Sequence, residues 1–265
     1  SDENKFSPLI NMFEHLHGEL GEKPFVLPYF NPISPLVMDS GTLLKMEMAI
    51  ERGLPFIFSN FSMAGASTPL TPAGTLALLL AELLAGLTIS QVMKPGTPIA
   101  VGMLPSYFDM QTMLNFYDPQ SVLLNVACAE MMAHYKLPHC GASCSGMGWG
   151  MDLIAADTYG MNFLTYALTK GGLAPFIGDG LAGKSISPCT VVHAHEIIDQ
   201  AFRFANGFQL DDAQAALEEI AKAGPGGDFL SSPSTRRNYK TGYYKSPLYP
   251  RWNMEKWQNA GQPEA

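Results

Sequence analysis

Residues 61–75 read Phe61-Ser-Met-Ala-Gly-Ala-Ser-Thr-Pro-Leu-Thr-Pro-Ala-Gly-Thr75, and this stretch joins a short strand pattern to a long apolar helix pattern. Thr71 and the proline after it are typical of a helix N-cap followed by proline at the first helical position. Gly65 would let the backbone approach a ligand closely, and Ser67 and Thr68 would offer hydroxyl groups. Loops at the carboxyl ends of strands carry the chemistry of α/β folds, so the stretch predicts part of a site. A simple turn would use the same Gly and Pro residues.

Short strand patterns alternate with longer helix patterns along the chain. The predicted strands are 24–30, 55–59, 98–103, 138–142 and 174–177. The predicted helices are 6–20, 40–52, 72–93, 119–135, 152–169, 196–204 and 212–223. This order is typical of parallel strands with right-handed crossovers, in a barrel or a doubly wound sheet.

The first predicted strand is not followed by a GxGxxG or Walker pattern, which disfavours a dinucleotide-binding sheet. We therefore predict an α/β fold of the TIM-type (β/α) barrel class. Only five strand patterns are present, whereas a closed barrel needs eight, so we expect a barrel that is incomplete at the N-terminus in this chain. Its open edges predict a homo-oligomer.

The 265 residues are 47% apolar and 15% charged, which is enough for one sizeable core. We predict a single domain over 1–265, in which 207–265 forms a C-terminal helix and an aromatic tail packed on the barrel. The aromatic residues of this tail suit packing over a barrel or against a second subunit. They are Tyr239, Tyr243, Tyr244, Tyr249, Trp252 and Trp257.

Charge and cysteine usage bound the function classes. The net charge is −8 and the basic residues are scattered, apart from a small group at 236–245, so no nucleic-acid partner is expected. The four cysteines and the lack of an opening secretory pattern favour reduced thiols and a cytoplasmic location. Residues 73–93 are about as long as a membrane span, but Glu82 and Gln91 interrupt them, so we predict a core helix and no membrane partner.

The loops after the predicted strands are rich in Gly, Ser and Asn, which suits a large, weakly charged ligand. Aromatic residues beside them could enclose a quaternary ammonium by cation–π attraction, although core aromatics would look the same. These aromatic residues are Tyr29, Phe30, Phe61, Tyr107, Phe108 and Trp149. Of the acidic residues near strand ends, Asp109 and Asp179 could bind a cationic substrate, whereas Asp152 fits a helix N-terminus.

Cys140, Cys144 and the adjacent His139 allow a zinc interpretation, since thiolate and imidazole are common zinc ligands. The C-x3-C spacing lacks a second pair at ligand spacing, so no tightly bound metal is expected. His139 itself could ligate or transfer a proton at a barrel mouth, or fill a structural position.

Five segments carry a resemblance to a known family: Asn31-Pro-Ile-Ser-Pro-Leu, Met63-Ala-Gly-Ala-Ser-Thr-Pro-Leu-Thr-Pro-Ala-Gly-Thr-Leu-Ala-Leu, Ala81-Glu-Leu-Leu-Ala-Gly, Lys94-Pro-Gly-Thr-Pro, and Gly224-Pro-Gly-Gly-Asp-Phe-Leu. They resemble the trimethylamine:corrinoid methyltransferase family of TIM-barrel enzymes, from about Phe25 to the C-terminus. The resemblance implies transfer of a methyl group from a methylated amine to Co(I) of a corrinoid (cobalamin), which a separate corrinoid protein supplies. Family members are longer at the N-terminus.

The trimethylamine branch of this family carries pyrrolysine in the segment that matches Leu137-Pro-His-Cys-Gly-Ala-Ser, where this chain has ordinary residues. The resemblance therefore favours the branch lacking pyrrolysine, with a quaternary amine such as glycine betaine as substrate and a tertiary amine less favoured. The chain also departs from the family at 146–152, where members have a Thr-Asp-Ser-Lys-like run.

Placement by loop position within the resemblance implies a set of site residues. The catalytic residue is His139 at the corrinoid face. Substrate-binding residues are Tyr29, Phe30, Asn31, Tyr107, Trp149 and Asp179. Corrinoid-binding residues are Gly65, Ser67, Thr68 and Ser143. Two alternatives stay open: a zinc-thiolate methyltransferase using Cys140 and Cys144, and a non-catalytic module that binds a betaine or the corrinoid protein.

Overall fold

The computed structural model describes residues 3–141, 145–170, 172 and 176–263. The chain divides into two compact units, Ser1–Ala194 and His195–Ala265. The prediction of one domain with residues 207–265 packed on a barrel stays a prediction.

The elements follow the predicted β-then-α order through the first unit. The strands are β1 (Tyr29–Phe30), β2 (Phe56–Ala64), β3 (Ile99–Asp109), β4 (Leu114–Phe116), β5 (His139–Gly141), β6 (Asp179–Gly180) and β7 (Ser185–Ile186). The first six helices are α1 (Glu3–His17), α2 (Ser40–Glu51), α3 (Pro72–Met93), α4 (Pro119–His134), α5 (Leu153–Leu168) and α6 (Pro188–Ala205). The helices after them are a 3₁₀ turn (Asp212–Gln214), α7 (Leu217–Ala223), α8 (Pro233–Asn238) and α9 (Met254–Asn259).

The main sheet confirms the predicted α/β class with parallel strands. Strands β1, β2, β3 and β5 are parallel and lie side by side in that order, while β4 pairs antiparallel with the end of β3. Within the described residues these strands form an open sheet, so the closed barrel stays a prediction. The predicted strand at 174–177 falls partly outside the described residues, and its last two residues, 176 and 177, are not in a strand.

Strands β2 and β3 run further than their sequence patterns predicted. The strand predicted at 55–59 extends to Ala64, since Ser62, Met63 and Ala64 still pair with β3. The strand predicted at 98–103 extends to Asp109, because β3 continues through Pro105 and then pairs with β4. Proline is tolerated there because, along that edge, β3 pairs with β5 only up to Met103 and with β4 only from Tyr107.

Local capping fixes where the helices begin. The Asp118 side chain accepts a hydrogen bond from Ser121 N (2.8 Å), and Ser121 Oγ accepts one from Asp118 N (2.6 Å), which completes a capping box. Asp152 accepts a hydrogen bond from Ala155 N (2.8 Å), which confirms its predicted place at a helix N-terminus. The helix predicted at 212–223 is broken at Ala216, whose left-handed backbone (φ 50°) separates the 3₁₀ turn from α7.

The core lies between the sheet and helices α1, α2, α3 and α4. Phe58 of β2 packs against Gly86 of α3, where an added Cβ would lie 2.1 Å from the Phe58 ring. Among the described residues one helix, α3, is long and apolar enough to cross a membrane. Leu79 and Leu83 of this helix join the hydrophobic core, but only 28% of its most apolar 18 residues are buried, so its role as a core helix stays a prediction.

Candidate functional site

The register of the sheet decides which side chains can reach a ligand. Phe30, Phe58 and Val101 stand side by side in β1, β2 and β3, and all three belong to the core under the helices. Because side chains alternate along a strand, their neighbours Tyr29, Ser59 and Gly102 face the opposite side of the sheet. We call this side the inner face.

Four residues of the inner face form a polar group around Gly102. They are Tyr29, Asn31, Ser59 and Cys140, which we call the inner polar cluster. A Cβ on Gly102 would lie 2.6 Å from Cys140 Sγ and 2.9 Å from Ser59 Oγ, so glycine is required for these strands to converge. Ser59 is fully buried, and its hydroxyl lies near that of Tyr29 without a formed hydrogen bond among the described residues. A buried polar group without a formed hydrogen bond is unusual in a folded protein.

The inner polar cluster is electrically neutral near pH 7. Burial raises the pKa of the Tyr29 phenol, and the nearby Ser59 and Asn31 side chains offset part of this rise. Burial also raises the pKa of the Cys140 thiol, to about 11. Both groups therefore remain protonated, and the surface they form offers an aromatic ring and hydrogen bonds rather than charge.

The loop after β2 uses its hydroxyl groups internally. Ser67 Oγ accepts a hydrogen bond from Met63 N (2.8 Å), and the Thr68 hydroxyl is 3.0 Å from that of Thr75. Gly65 has a left-handed backbone (φ 95°), which favours glycine for the turn itself. Because both hydroxyl groups are used within the loop, the structure does not support the predicted corrinoid contacts of Ser67 and Thr68, and these contacts stay predictions. Ser143, the remaining predicted corrinoid-binding residue, lies outside the described residues.

His139 does not lie with the inner polar cluster. It pairs with Val101, so its ring shares the helix-facing side of the sheet, beside Cys128 and Met132 of α4. Its Nε2 atom is buried and makes no hydrogen bond within the described ranges. The expectation that this ring points into a barrel mouth is not supported, because the one-residue alternation of β5 directs Cys140 inward instead. Its catalytic role stays a prediction.

The predicted aromatic cage is not assembled as a group. Phe30 is only 4% exposed and packs against the rings of Phe6 and Phe56 in the core. Tyr107 lies within β3 beside Phe116, at 6.1 Å between ring centroids, and Trp149 is 79% exposed. Of the predicted substrate-binding residues, the structure brings together Tyr29 and Asn31.

Asp179 belongs to a second polar group. The Tyr159 hydroxyl donates to the backbone oxygen of Asp179 and lies 3.1 Å from its Oδ1 atom. Burial, followed by the negative charge of Asp179, raises the pKa of Tyr159. The Tyr159 ring is fully buried and stacks on Phe163 at 5.5 Å. The sequence pattern offered no signal for Tyr159, because a tyrosine on the buried side of a helix looks like an ordinary core residue.

The geometry does not favour the zinc alternative. His139 and Cys140 lie on opposite faces of the sheet, so their side chains do not converge on one metal ion. Cys144 lies outside the described residues. Among the residues that are described, no group of three or more His, Cys, Asp or Glu side chains is placed to hold a metal ion.

The mainly parallel sheet with helices packed on it defines an α/β protein. The family that matches the chain is narrower. Residues 2–265 match the sequence model described as Trimethylamine methyltransferase (MTTB), and the chain belongs to this family, as its motifs predicted.

The similar proteins are named for two different substrates, glycine betaine and trimethylamine. The chain is 31% identical over 251 residues to a glycine betaine methyltransferase of Desulfitobacterium hafniense (strain Y51), covering 89% of this chain and 50% of the relative. It is 28% identical to trimethylamine methyltransferase MttB1 of Methanosarcina acetivorans, covering 83% and 44%. It is 25% identical to trimethylamine methyltransferase MttB of Desulfitobacterium hafniense (strain DSM 10664 / DCB-2), covering 92% and 49%. The chain thus spans about half the length of these relatives.

Proposed function

We propose that this chain serves in a methyltransferase that moves a methyl group from a quaternary amine such as glycine betaine to Co(I) of a corrinoid carried by a partner protein. The observation that carries the proposal is the neutral inner polar cluster, in which the Tyr29 hydroxyl lies near the side chains of Asn31 and Ser59. The glycine betaine methyltransferase that is 31% identical to this chain supports the same substrate class.

The chemistry of a quaternary ammonium suits a neutral site. During transfer the N–CH₃ bond breaks, its electron pair remains on nitrogen, and the Co(I) acceptor supplies the pair for the new bond to carbon. The product amine is neutral and leaves without a proton. A quaternary ammonium is charged at every pH and needs no proton donor, whereas a tertiary amine is activated only while it carries a proton.

Three residues of the inner polar cluster have separate roles in this proposal. The Tyr29 ring attracts the ammonium through its π face. The Asn31 amide and the Ser59 hydroxyl donate hydrogen bonds to the carboxylate of glycine betaine in this proposal. Holding the substrate at both ends aligns one methyl carbon with the acceptor, which is the main task left to the protein.

The corrinoid enters the proposal as the methyl acceptor on a partner protein. The loop after β2 suits such an acceptor through its backbone, since Ser67 and Thr68 already use their hydroxyls within the loop. A cytoplasmic location and a homo-oligomer belong to the same proposal. No nucleic acid or membrane takes part in it.

The test is methyl transfer to free cob(I)alamin from glycine betaine, related betaines and trimethylamine, followed by the absorbance change of the cobalamin. We expect a betaine to react and trimethylamine not to react. Turnover of trimethylamine alone would contradict the proposed substrate class.

If none of the amines reacts, a second measurement is needed, because a non-catalytic binding module would also be inactive. Calorimetric titration of the folded chain with glycine betaine distinguishes the cases. Binding without transfer would favour the non-catalytic module, and absence of both would contradict the proposed site.

A further inference from the structure

Glu82 is a buried carboxylate in the middle of α3, the most apolar helix of the chain. It is only 3% exposed. A buried charge is costly unless hydrogen bonds satisfy it. Here Oε1 accepts a hydrogen bond from Leu36 N (2.7 Å), and Oε2 accepts bonds from Ser34 Oγ (2.8 Å) and Asn60 Nδ2 (2.9 Å).

The donors come from the two segments that carry the inner polar cluster. Ser34 and Leu36 belong to the loop after β1, which begins at Asn31, and Asn60 follows Ser59 in β2. The loop is closed on itself by the reciprocal backbone hydrogen bonds of Ile33 and Val37, at 2.8 and 3.0 Å. A single carboxylate on α3 therefore ties this compact loop to the sheet beneath it.

The direction of these bonds distinguishes Glu82 from a residue that only fills space. An apolar side chain would complete the core without needing donors from the loop. The carboxylate is satisfied only when Ser34 and Leu36 sit over α3, so it selects one position of the loop. We propose that Glu82 is a positioning residue, which holds the loop so that Asn31 stays beside Tyr29; this inference rests on the proposed function.

The first test replaces Glu82 by Gln, which keeps the shape and removes one acceptor atom. In either orientation its NH₂ group faces the Leu36 amide or the Asn60 side chain, both of which are donors. We expect faster hydrogen exchange in 31–37 and roughly 100-fold lower kcat/KM with glycine betaine and cob(I)alamin. Glu47→Gln, an exposed change on α2, is the matched control and should alter neither.

Ser34→Ala provides a milder variant in case Glu82→Gln fails to fold. It removes one of the donors to Glu82 Oε2 without altering the core. We expect the same two changes, smaller in size, with an unchanged unfolding temperature. Unchanged exchange in 31–37 in both variants, or faster exchange with unaltered kinetics, would overturn the inference.

A double variant separates positioning from general support of the fold. If Glu82 acts through Asn31, then Glu82→Gln should cost little more once Asn31 is replaced by Ala, because the two changes remove one function. If the two substitutions lower kcat/KM by factors that multiply in the double variant, Glu82 acts independently of Asn31 and the inference is refuted. Failure of the proposed function is seen separately, in the unaltered chain, as inactivity on every amine.

Discussion

Tyr29 is the residue at which the sequence prediction and the inner face agree. Its ring is 37% exposed and its hydroxyl lies near Asn31 and Ser59. We predict that Tyr29→Leu weakens glycine betaine binding by about 0.5–2 kcal/mol, because the π face is lost. Titration calorimetry measures this, and Tyr29→Phe, which keeps the ring, should bind nearly as well as the unaltered chain. Equal affinity of the Leu variant would remove Tyr29 from the site.

The buried thiol of Cys140 makes the stability of the fold depend on pH. Burial raises its pKa from 9.0 to about 11 in the folded chain. Above pH 9 the thiol of the unfolded chain loses its proton while the thiol of the folded chain keeps it. The contribution of Cys140 to the free energy of unfolding is therefore fully present below pH 9 and is lost as the pH rises to 11. Its size is about 2–3 kcal/mol.

The measurement for Cys140 is denaturant unfolding at pH 7, 9 and 10.5. Cys140→Ala should lose less stability with rising pH than the unaltered chain does. Cys189→Ala, which changes an exposed thiol, is the control and should follow the unaltered chain. Parallel curves for all three proteins would disprove the assignment.

At the scale of elements, the packing of α3 on β2 depends on one glycine. A Cβ at Gly86 would lie 2.1–2.4 Å from atoms of the Phe58 ring, so we predict that Gly86→Ala destabilises the fold by about 1–3 kcal/mol. Gly160 in α5 is the matched control, because an added Cβ meets nothing within 4 Å there. Gly160→Ala should stabilise by about 0.5–1 kcal/mol, since alanine favours helix. Thermal unfolding would show opposite shifts, and shifts of the same sign would contradict the packing.

At the scale of the whole molecule, the sheet has β1 on one outer side and β4 and β5 on the other. Within the described residues none of these strands pairs on its outer edge. Open edges recruit further strands, so we predict that the chain assembles in solution. Light scattering after size-exclusion chromatography should give a multiple of 28.7 kDa, and a mass of 28.7 kDa at every concentration would count against assembly.

The sequence by itself determined the local features of this protein: the helix N-terminus at Asp152, the alternation of strands and helices, and the motifs of the family. These signals act over a few residues, so a linear pattern contains them. The extension of β3 through Pro105 was missed because it depends on which strands flank its edge.

Only the tertiary structure decided which side chains meet. Tyr29 and Ser59 are distant in sequence, and their approach depends on the pairing of β1 with β2. His139 and Cys140 exchange faces if the register of β5 shifts by one residue, so sequence could not choose between them. Register is set by contacts between distant segments, and for that reason the inner polar cluster and its anchor Glu82 emerged only from the fold.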